Sequence, residues 1–281
     1  MKIGVIGAGT MGNGIAHVFS LYGHSVILCD INKNILDKAF ETININMQRQ
    51  YSKGIIDKQK MKDSIKNLNG TINIKELNEC SLIVEAVKED YEIKSSLFLK
   101  LEKICSEDTI LASNTSSISI SELSKKLSFP GRFIGMHFMN PVPIMKLVEI
   151  IKGELTSKKT VDEITILTNK IDKIPVECND SPGFVSNRIL MPMINEAVYC
   201  FMEGVAKAES IDSIMKLGMG HPMGPLKLAD LIGIDVCLYI MNVLYEGFKD
   251  EKYKPCPLLV KMVSDNKLGK KTKEGFYKYG L

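Results

Sequence analysis

Apolar positions along the chain fall into two regimes. Over the first 180 or so residues, short β-branched runs alternate with stretches whose apolar residues recur every three or four positions. The runs are KIGVI, SVILC, TINI (71–74), SLIVEAV, TILAS, RFIGMHF, KLVEII and KIPVEC, each of strand length. Helical spacing predicts a helix from about Met11 to Tyr22 and further helices up to Leu68. Such alternation argues for a parallel sheet with helical crossovers, and the last three runs extend the same sheet. About forty residues, 31–70, separate SVILC from TINI, enough for two helices rather than one crossover helix.

From SPGFVSNR onward the spacing is helical throughout, with no further β-branched run of strand length. Ser181 and Pro182 read as a helix start, a hydroxyl for the cap and then a ring suited to the first turn. The change predicts a domain boundary near residue 180, dividing 1–180 from an all-α domain, 181–281. KEGFYKYGL reads as an aromatic tail packing back on the body.

Composition narrows the class. A chain of 281 residues with 45% hydrophobic content buries a large core. The formal charge is +3, from 36 basic and 33 acidic residues, with no basic block of the kind nucleic acid requires. Seven cysteines, at 29, 80, 105, 178, 200, 237 and 256, form no C-x-x-C pair and are odd in number, which fits neither a disulfide framework nor a zinc site. They are expected to be buried thiols in a reducing cytosol. No apolar stretch of membrane length escapes charge, and Met1 leads directly into the first strand, so neither membrane span nor signal peptide is expected.

Gly7, Gly9 and Gly12 stand at G-x-G-x-x-G spacing between a strand and a helix. Gly7 permits a tight turn, Gly9 lets backbone approach a pyrophosphate, and Gly12 allows close helix packing; Ala8, Thr10 and Met11 complete the loop. Asp30, eighteen residues past Gly12, ends the second strand, where its carboxylate accepts from both ribose hydroxyls. Its charge repels a 2′-phosphate, which favours NAD over NADP, although Lys33 softens the preference.

His137 interrupts an apolar run, GMHFMNPVPIMKLVE, that closes on Glu149. The reading puts both residues at or near strand ends facing the cofactor crevice. A carboxylate fixes the imidazole tautomer, stabilises the imidazolium and makes a base able to take a proton from an alcohol. A satisfied core histidine with a distant Glu is the plainer alternative. Asn114, Thr115, Ser116 and Ser117 crowd another strand end; Ser119 or Ser117 caps the following helix, which leaves Ser116 for the crevice. Asn187 lies in the first turns of the helix entering the second domain. The insertion carries Lys33, Lys38, Arg49, Lys53, Lys58, Lys60 and Lys62, a clamp for an anionic ligand or an ordinary solvated face.

These residues carry a family resemblance. GAGTMGNGIA, EAVKEDYEIK, SNTSSISI, GMHFMNPVPIMKLVE, DSPGFVSNRI, HPMGPLKLADLIGID and GFYKY, in that order, resemble the 3-hydroxyacyl-CoA dehydrogenases, most nearly the bacterial 3-hydroxybutyryl-CoA type. The resemblance implies a Rossmann-like, mostly parallel sheet domain followed by a helical domain that forms a homodimer or larger homo-oligomer. It implies NAD as cofactor, an acyl-CoA substrate and no metal. His137 then matches the catalytic histidine, Glu149 its partner, Ser116 a serine contacting substrate and cofactor, and Asn187 an asparagine holding the substrate carbonyl. Glu89, Lys94, Asn114 and Asn140 match positions around the nicotinamide and its ribose, Lys271 is a further cofactor candidate, and Lys53 matches a lysine near the CoA phosphates. Asn46 stands where many relatives have serine near the CoA tail, and Lys273 where glycine is common. The expectation is a cytoplasmic enzyme interconverting 3-hydroxybutyryl-CoA and acetoacetyl-CoA. Its rivals are a sugar-acid dehydrogenase, which has no use for a CoA clamp, and a non-catalytic protein of the same fold.

Overall fold

The structure, a computed structural model, describes residues 1–280, which divide into two compact units meeting in sequence at Asp180 and Ser181. The first unit holds β1 (Lys2–Ile6), α1 (Thr10–Leu21), β2 (Ser25–Cys29), α2 (Lys33–Ser52), α3 (Lys58–Lys66), β3 (Leu68–Thr71), β4 (Leu82–Glu85), α4 (Tyr91–Glu102), β5 (Ile110–Ser113), α5 (Ile120–Ser124), β6 (Phe133–Phe138), β7 (Leu147–Lys152), α6 (Lys158–Lys170) and β8 (Ile174–Asn179). The strands form one sheet in the order β3-β2-β1-β4-β5-β6-β7-β8. All neighbours are parallel except β6 and β7, which are antiparallel. From β1 the chain proceeds outward one way to β3, then returns and proceeds the other way through β4. That reversal creates a switch point beside β1, where ligands bind in doubly wound sheets.

The central strands are apolar on both faces, as a sheet covered by helices requires. Ile3, Val5, Leu28, Val84, Ile134 and Val148 are buried and pack with Ile15, Phe19, Ile43 and Ile164 from the helices. Phe19 and Phe138 meet edge to face at 6.3 Å, which joins α1 to the end of β6. The outermost strand, β8, is largely exposed, so β7 rather than β8 bounds the packed part of the sheet.

Two boundaries differ from the sequence reading. The third strand is Leu68–Thr71, not TINI: Ile72 is exposed, and the Asn73 side chain accepts from Lys75 N and starts a 3-10 turn over Ile74–Leu77. Local side-chain capping overrides the β propensity of the run. The first helix of the second unit begins at Ser186, not at Ser181–Pro182, because Gly183 (φ 72°) and Phe184 (φ 51°) hold a left-handed turn before it. A Cβ on Gly183 would lie 2.6 Å from Leu244 Cδ2, so the turn also seats the chain closely on its neighbour.

The second unit contains α7 (Ser186–Met202), α8 (Ala208–Met219), α9 (Pro225–Ile232), α10 (Ile234–Phe248) and α11 (Pro257–Ser264) around a core of Met191, Val198, Leu226, Cys237, Met241, Leu244 and Leu259. Its aromatic tail returns to this body: Asp230 accepts from Phe276 N, Tyr277 N and the Tyr279 hydroxyl, and Asp212 from the Tyr277 hydroxyl. All seven cysteines are free thiols; Cys105, Cys178 and Cys200 are only partly buried, short of the sequence expectation. Among the described residues no single helix is long and apolar enough to cross a membrane, although α9 and α10 pass that test as a pair bent by 98°.

Candidate active site

The glycine turn is built by exclusion. Gly7 has φ 94°, and a Cβ there would lie 2.5 Å from Ala86 O. A Cβ on Gly12 would fall 1.6 Å from Gly7 O, so α1 approaches the turn as closely as backbone allows. Gly9 meets nothing within 4 Å of where its Cβ would be; its missing side chain leaves open space, not packing room. It stands as the N-cap of α1 with no side-chain cap, which leaves first-turn donors to an outside acceptor. Asp30 fixes the other wall: Oδ2 accepts from Ala8 N at 2.8 Å and Oδ1 from Asn32 N at 3.0 Å, and each oxygen keeps lone-pair capacity for a hydroxyl. Thr10 is exposed and Met11 half-buried in the first turn of α1. These features fit a dinucleotide.

Strand register aligns the rest. Ile6, Glu85, Ser113 and Gly135 lie side by side across β1, β4, β5 and β6, and His137 stands two residues further along the same sheet edge. Glu149 does not end its strand. It is the third residue of β7, directly opposite His137 in the antiparallel register. Direction reversal at β6 and β7 therefore brings together two residues twelve apart in sequence: His137 Nδ1 lies 2.7 Å from Glu149 Oε2, both side chains buried. Asn114 at the end of β5 accepts from Phe138 N at 2.9 Å, which ties the β5 end to the β6 end.

Beyond β5 the chain wraps one carboxylate. Glu89 Oε1 accepts from Thr115 Oγ1 (2.5 Å), Ser116 N (2.9 Å), Ser117 N (3.1 Å) and Ser117 Oγ (2.9 Å), with Ser116 Oγ at 3.3 Å. Ser119, not Ser117, caps α5. Glu89 Oε2 faces Lys94 Nζ at 3.2 Å, and Lys94, 1% exposed, also donates to Glu85 Oε1 at 2.5 Å. Glu85 takes two more bonds, from Ser113 Oγ at 2.6 Å and Val87 N at 2.7 Å. Burial lifts the Glu85 carboxyl above the ordinary range, and the Lys94 charge with these donors offsets only part of that. Burial also pushes Glu89 up, but there the Lys94 charge and the hydroxyl and amide donors prevail and hold it below the usual value.

The remaining sequence candidates stand on other elements. Asn140 is exposed on the β6–β7 connection; Asn46 is half-buried on α2, and Lys53 is exposed just past its end. Asn187 is buried in the first turn of α7, in the second unit. Lys271 belongs to the second unit too, in an ion pair with Asp235. Glu85 escaped the sequence reading, although an acid closing the apolar run SLIVE carries the same signal that singled out His137.

Family comparison decides the class. A family model for the NAD-binding domain of 3-hydroxyacyl-CoA dehydrogenase matches residues 2–181, and one for the C-terminal domain of the same enzymes matches residues 183–279. The chain belongs to the 3-hydroxyacyl-CoA dehydrogenase family. Its N-terminal unit is a Rossmann-type NAD-binding domain, and the protein is an NAD-dependent oxidoreductase of this family. It is 51% identical to a 3-hydroxybutyryl-CoA dehydrogenase of Clostridioides difficile, over 99% of both chains. It is 41% identical to a human mitochondrial hydroxyacyl-coenzyme A dehydrogenase, over 98% of this chain and 90% of that one. A solved (S)-3-hydroxybutyryl-CoA dehydrogenase from Ralstonia eutropha superposes with a TM-score of 0.97 at 42% identity, over 100% of this chain and 99% of that one.

Proposed function

We propose that this 3-hydroxyacyl-CoA dehydrogenase interconverts (S)-3-hydroxybutyryl-CoA and acetoacetyl-CoA, with His137 and Glu149 as its acid–base pair. The observation that carries the mechanism is the buried 2.7 Å contact between His137 Nδ1 and Glu149 Oε2. The substrate follows from the full-length similarity to 3-hydroxybutyryl-CoA dehydrogenases.

Gly7, Ala8, Gly9, Thr10, Met11 and Gly12 hold the pyrophosphate on backbone, and Asp30 takes the adenine ribose hydroxyls and disfavours a 2′-phosphate. When bound, NAD supplies the hydride acceptor, and its reduced form the donor. The protein supplies the proton chemistry. With Nδ1 committed to Glu149, His137 uses Nε2 to take the substrate hydroxyl proton in oxidation and returns it in reduction. Glu149 fixes the tautomer and favours the charged ring that arises in between. Ser116, held by Glu89, donates to the substrate oxygen as charge develops there, and Asn187 is assigned the same role by its family position. Glu89, Lys94, Asn114 and Asn140 serve the nicotinamide ribose, Lys94 through Glu89 since its amine is already engaged by two carboxylates. Lys53 and Asn46 meet the CoA moiety. Exposed Ile214, Leu217 and Met219 on α8 support a homo-oligomer formed through the helical unit. A cytoplasmic location accords with this chemistry.

The test is NADH absorbance with acetoacetyl-CoA. Wild-type protein oxidises NADH, and His137→Gln lowers turnover by roughly 10²- to 10⁴-fold with its circular dichroism unchanged. Absence of NADH oxidation would overturn the substrate assignment, and near-normal turnover of the variant would overturn the mechanism.

A further inference from the structure

Lys173 is buried, 5% exposed, at the corner between α6 and β8. Its Nζ donates to Val142 O at 2.5 Å and to Met145 O at 2.7 Å. Both carbonyls belong to the connection between β6 and β7, which joins the His137 strand to the Glu149 strand. Within it, Pro141 O accepts from Ile144 N and Met145 N, so the segment is a tight turn with its later carbonyls gathered on the ammonium. The same turn is pressed onto the dinucleotide helix. Val142 is 2% exposed, and a Cβ on Gly14 of α1 would lie 2.8 Å from Val142 Cβ. At the same corner Asp172 pairs with Lys146 of the β6–β7 connection, and its charge acts on Tyr22, just past α1.

An aliphatic side chain would fill this space without the cost of a buried ammonium. What an aliphatic chain could not do is satisfy two converging carbonyls while drawing the turn toward β8. We propose that Lys173 is a positioning residue for the cofactor site, its ammonium clamping the β6–β7 connection against α1 so that the glycine turn is held in its NAD-binding form.

This role carries a pH signature. Burial pushes the Lys173 ammonium down to about 8, Lys146 adds repulsion and Asp172 opposes it. The other groups facing the corner behave differently. His17 of α1 is driven to about 4 by burial, and Tyr22 is pushed up to about 12 by burial and by Asp172. Asp172 is held below its ordinary value by its hydrogen bond from Lys146. Of these shifted groups only Lys173 changes charge between about pH 7 and 10. A neutral amine gives the weaker, uncharged kind of hydrogen bond, so the clamp loosens as pH rises.

The experiment is a fluorescence titration of NADH onto wild-type protein, Lys173→Arg and Lys173→Met from about pH 7 to 9.5, bracketing the amine's titration. The wild-type Kd is expected to rise about tenfold through this range, Lys173→Arg to keep its neutral-pH Kd throughout, and Lys173→Met to show at every pH the weak Kd that wild type reaches only at high pH. A flat wild-type profile overturns the proposal even where a variant fails to fold. So does Lys173→Met with wild-type affinity, or Lys173→Arg with the wild-type pH dependence. A merely structural lysine would lower Tm in the variants and leave these binding curves alone. Because the readout is cofactor binding, it is independent of whether His137 transfers the substrate proton.

Discussion

Replacing Glu149 by Gln keeps the shape of the site and removes one charge. At the observed 2.7 Å, a full charge pair in an effective dielectric of about 20 would contribute about 6 kcal/mol. That is a ceiling, because Gln keeps an oxygen able to accept from Nδ1–H, and hydrogen bonds involving charged groups retain about 1.5–3 kcal/mol net. Taking about 2–3 kcal/mol as the loss when the histidine is charged in the transition state, kcat should fall about 30- to 150-fold. KM for NADH and for acetoacetyl-CoA should stay within about threefold, since the charge acts on the transition state more than on the bound reactants. The assay is initial-rate NADH oxidation with both substrates varied, on protein whose Tm and circular dichroism have been compared with wild type. A double variant completes the cycle. If Glu149 works through His137, His137→Gln with Glu149→Gln is no slower than His137→Gln alone. A kcat within threefold of wild type, or a double variant distinctly slower than the single, would refute the pairing.

Other positions separate packing from binding. Gly9→Ala meets no protein atom within 4 Å, so it should fold with wild-type Tm yet bind NADH at least about tenfold more weakly, a loss of about 1.4 kcal/mol; unchanged affinity would show that nothing approaches the Gly9 backbone. Gly12→Ala would set a Cβ 1.6 Å from Gly7 O and should lose both NADH binding and Tm. His17, buried on α1, has its pKa lowered from 6.5 to about 4 by burial, so between these values the unfolded chain binds the proton and the folded chain does not. Stability therefore falls as pH drops through this window, by about 3 kcal/mol from this group, and His17→Leu should flatten that part of the urea-unfolding profile; equal acid sensitivity in the two proteins would refute it.

Much of the sheet was legible because period-two and continuous apolar runs coincide with strands that lie buried between helices. TINI failed for a local reason, since Asn73 satisfies the next turn with its own side chain and no β propensity competes with that. The start of α7 failed because Ser181 and Pro182 carry the letters of a cap while Gly183 and Phe184 turn left-handed behind them. His137 and Glu149 were readable as chemistry but not as geometry. The run between them does not reveal that β7 turns back antiparallel, and only that reversal sets them face to face. Lys94 illustrates the other limit. Its family position pointed to the nicotinamide ribose, but the helical pattern around it does not reveal its burial, which follows from two carboxylates supplied by a strand end and a loop. Lys173 is the same case with carbonyls in place of carboxylates.

The placement of buried charge in the first unit makes a stronger case than any one of these contacts. Charge buried in a core is at best neutral for stability compared with apolar packing, so a fold selected for stability alone would scatter such groups rarely and without pattern. Here Glu85, Lys94, His137, Glu149 and Lys173 are all buried, and His17 is the other member of this set. Glu85 and His137 sit at the carboxyl ends of parallel strands, and Lys94 reaches the first of them. Glu149 faces His137. Lys173 precedes β8, which runs parallel to β7 and opposite to the others, so its start lies on that same edge. Five ionisable groups therefore converge on the edge where the glycine turn opens. Each is held by partners that fix its position, and the energetic cost of burying them falls on the sheet edge beside the glycine turn of the NAD-binding domain, where a purely structural core would have no reason to concentrate it.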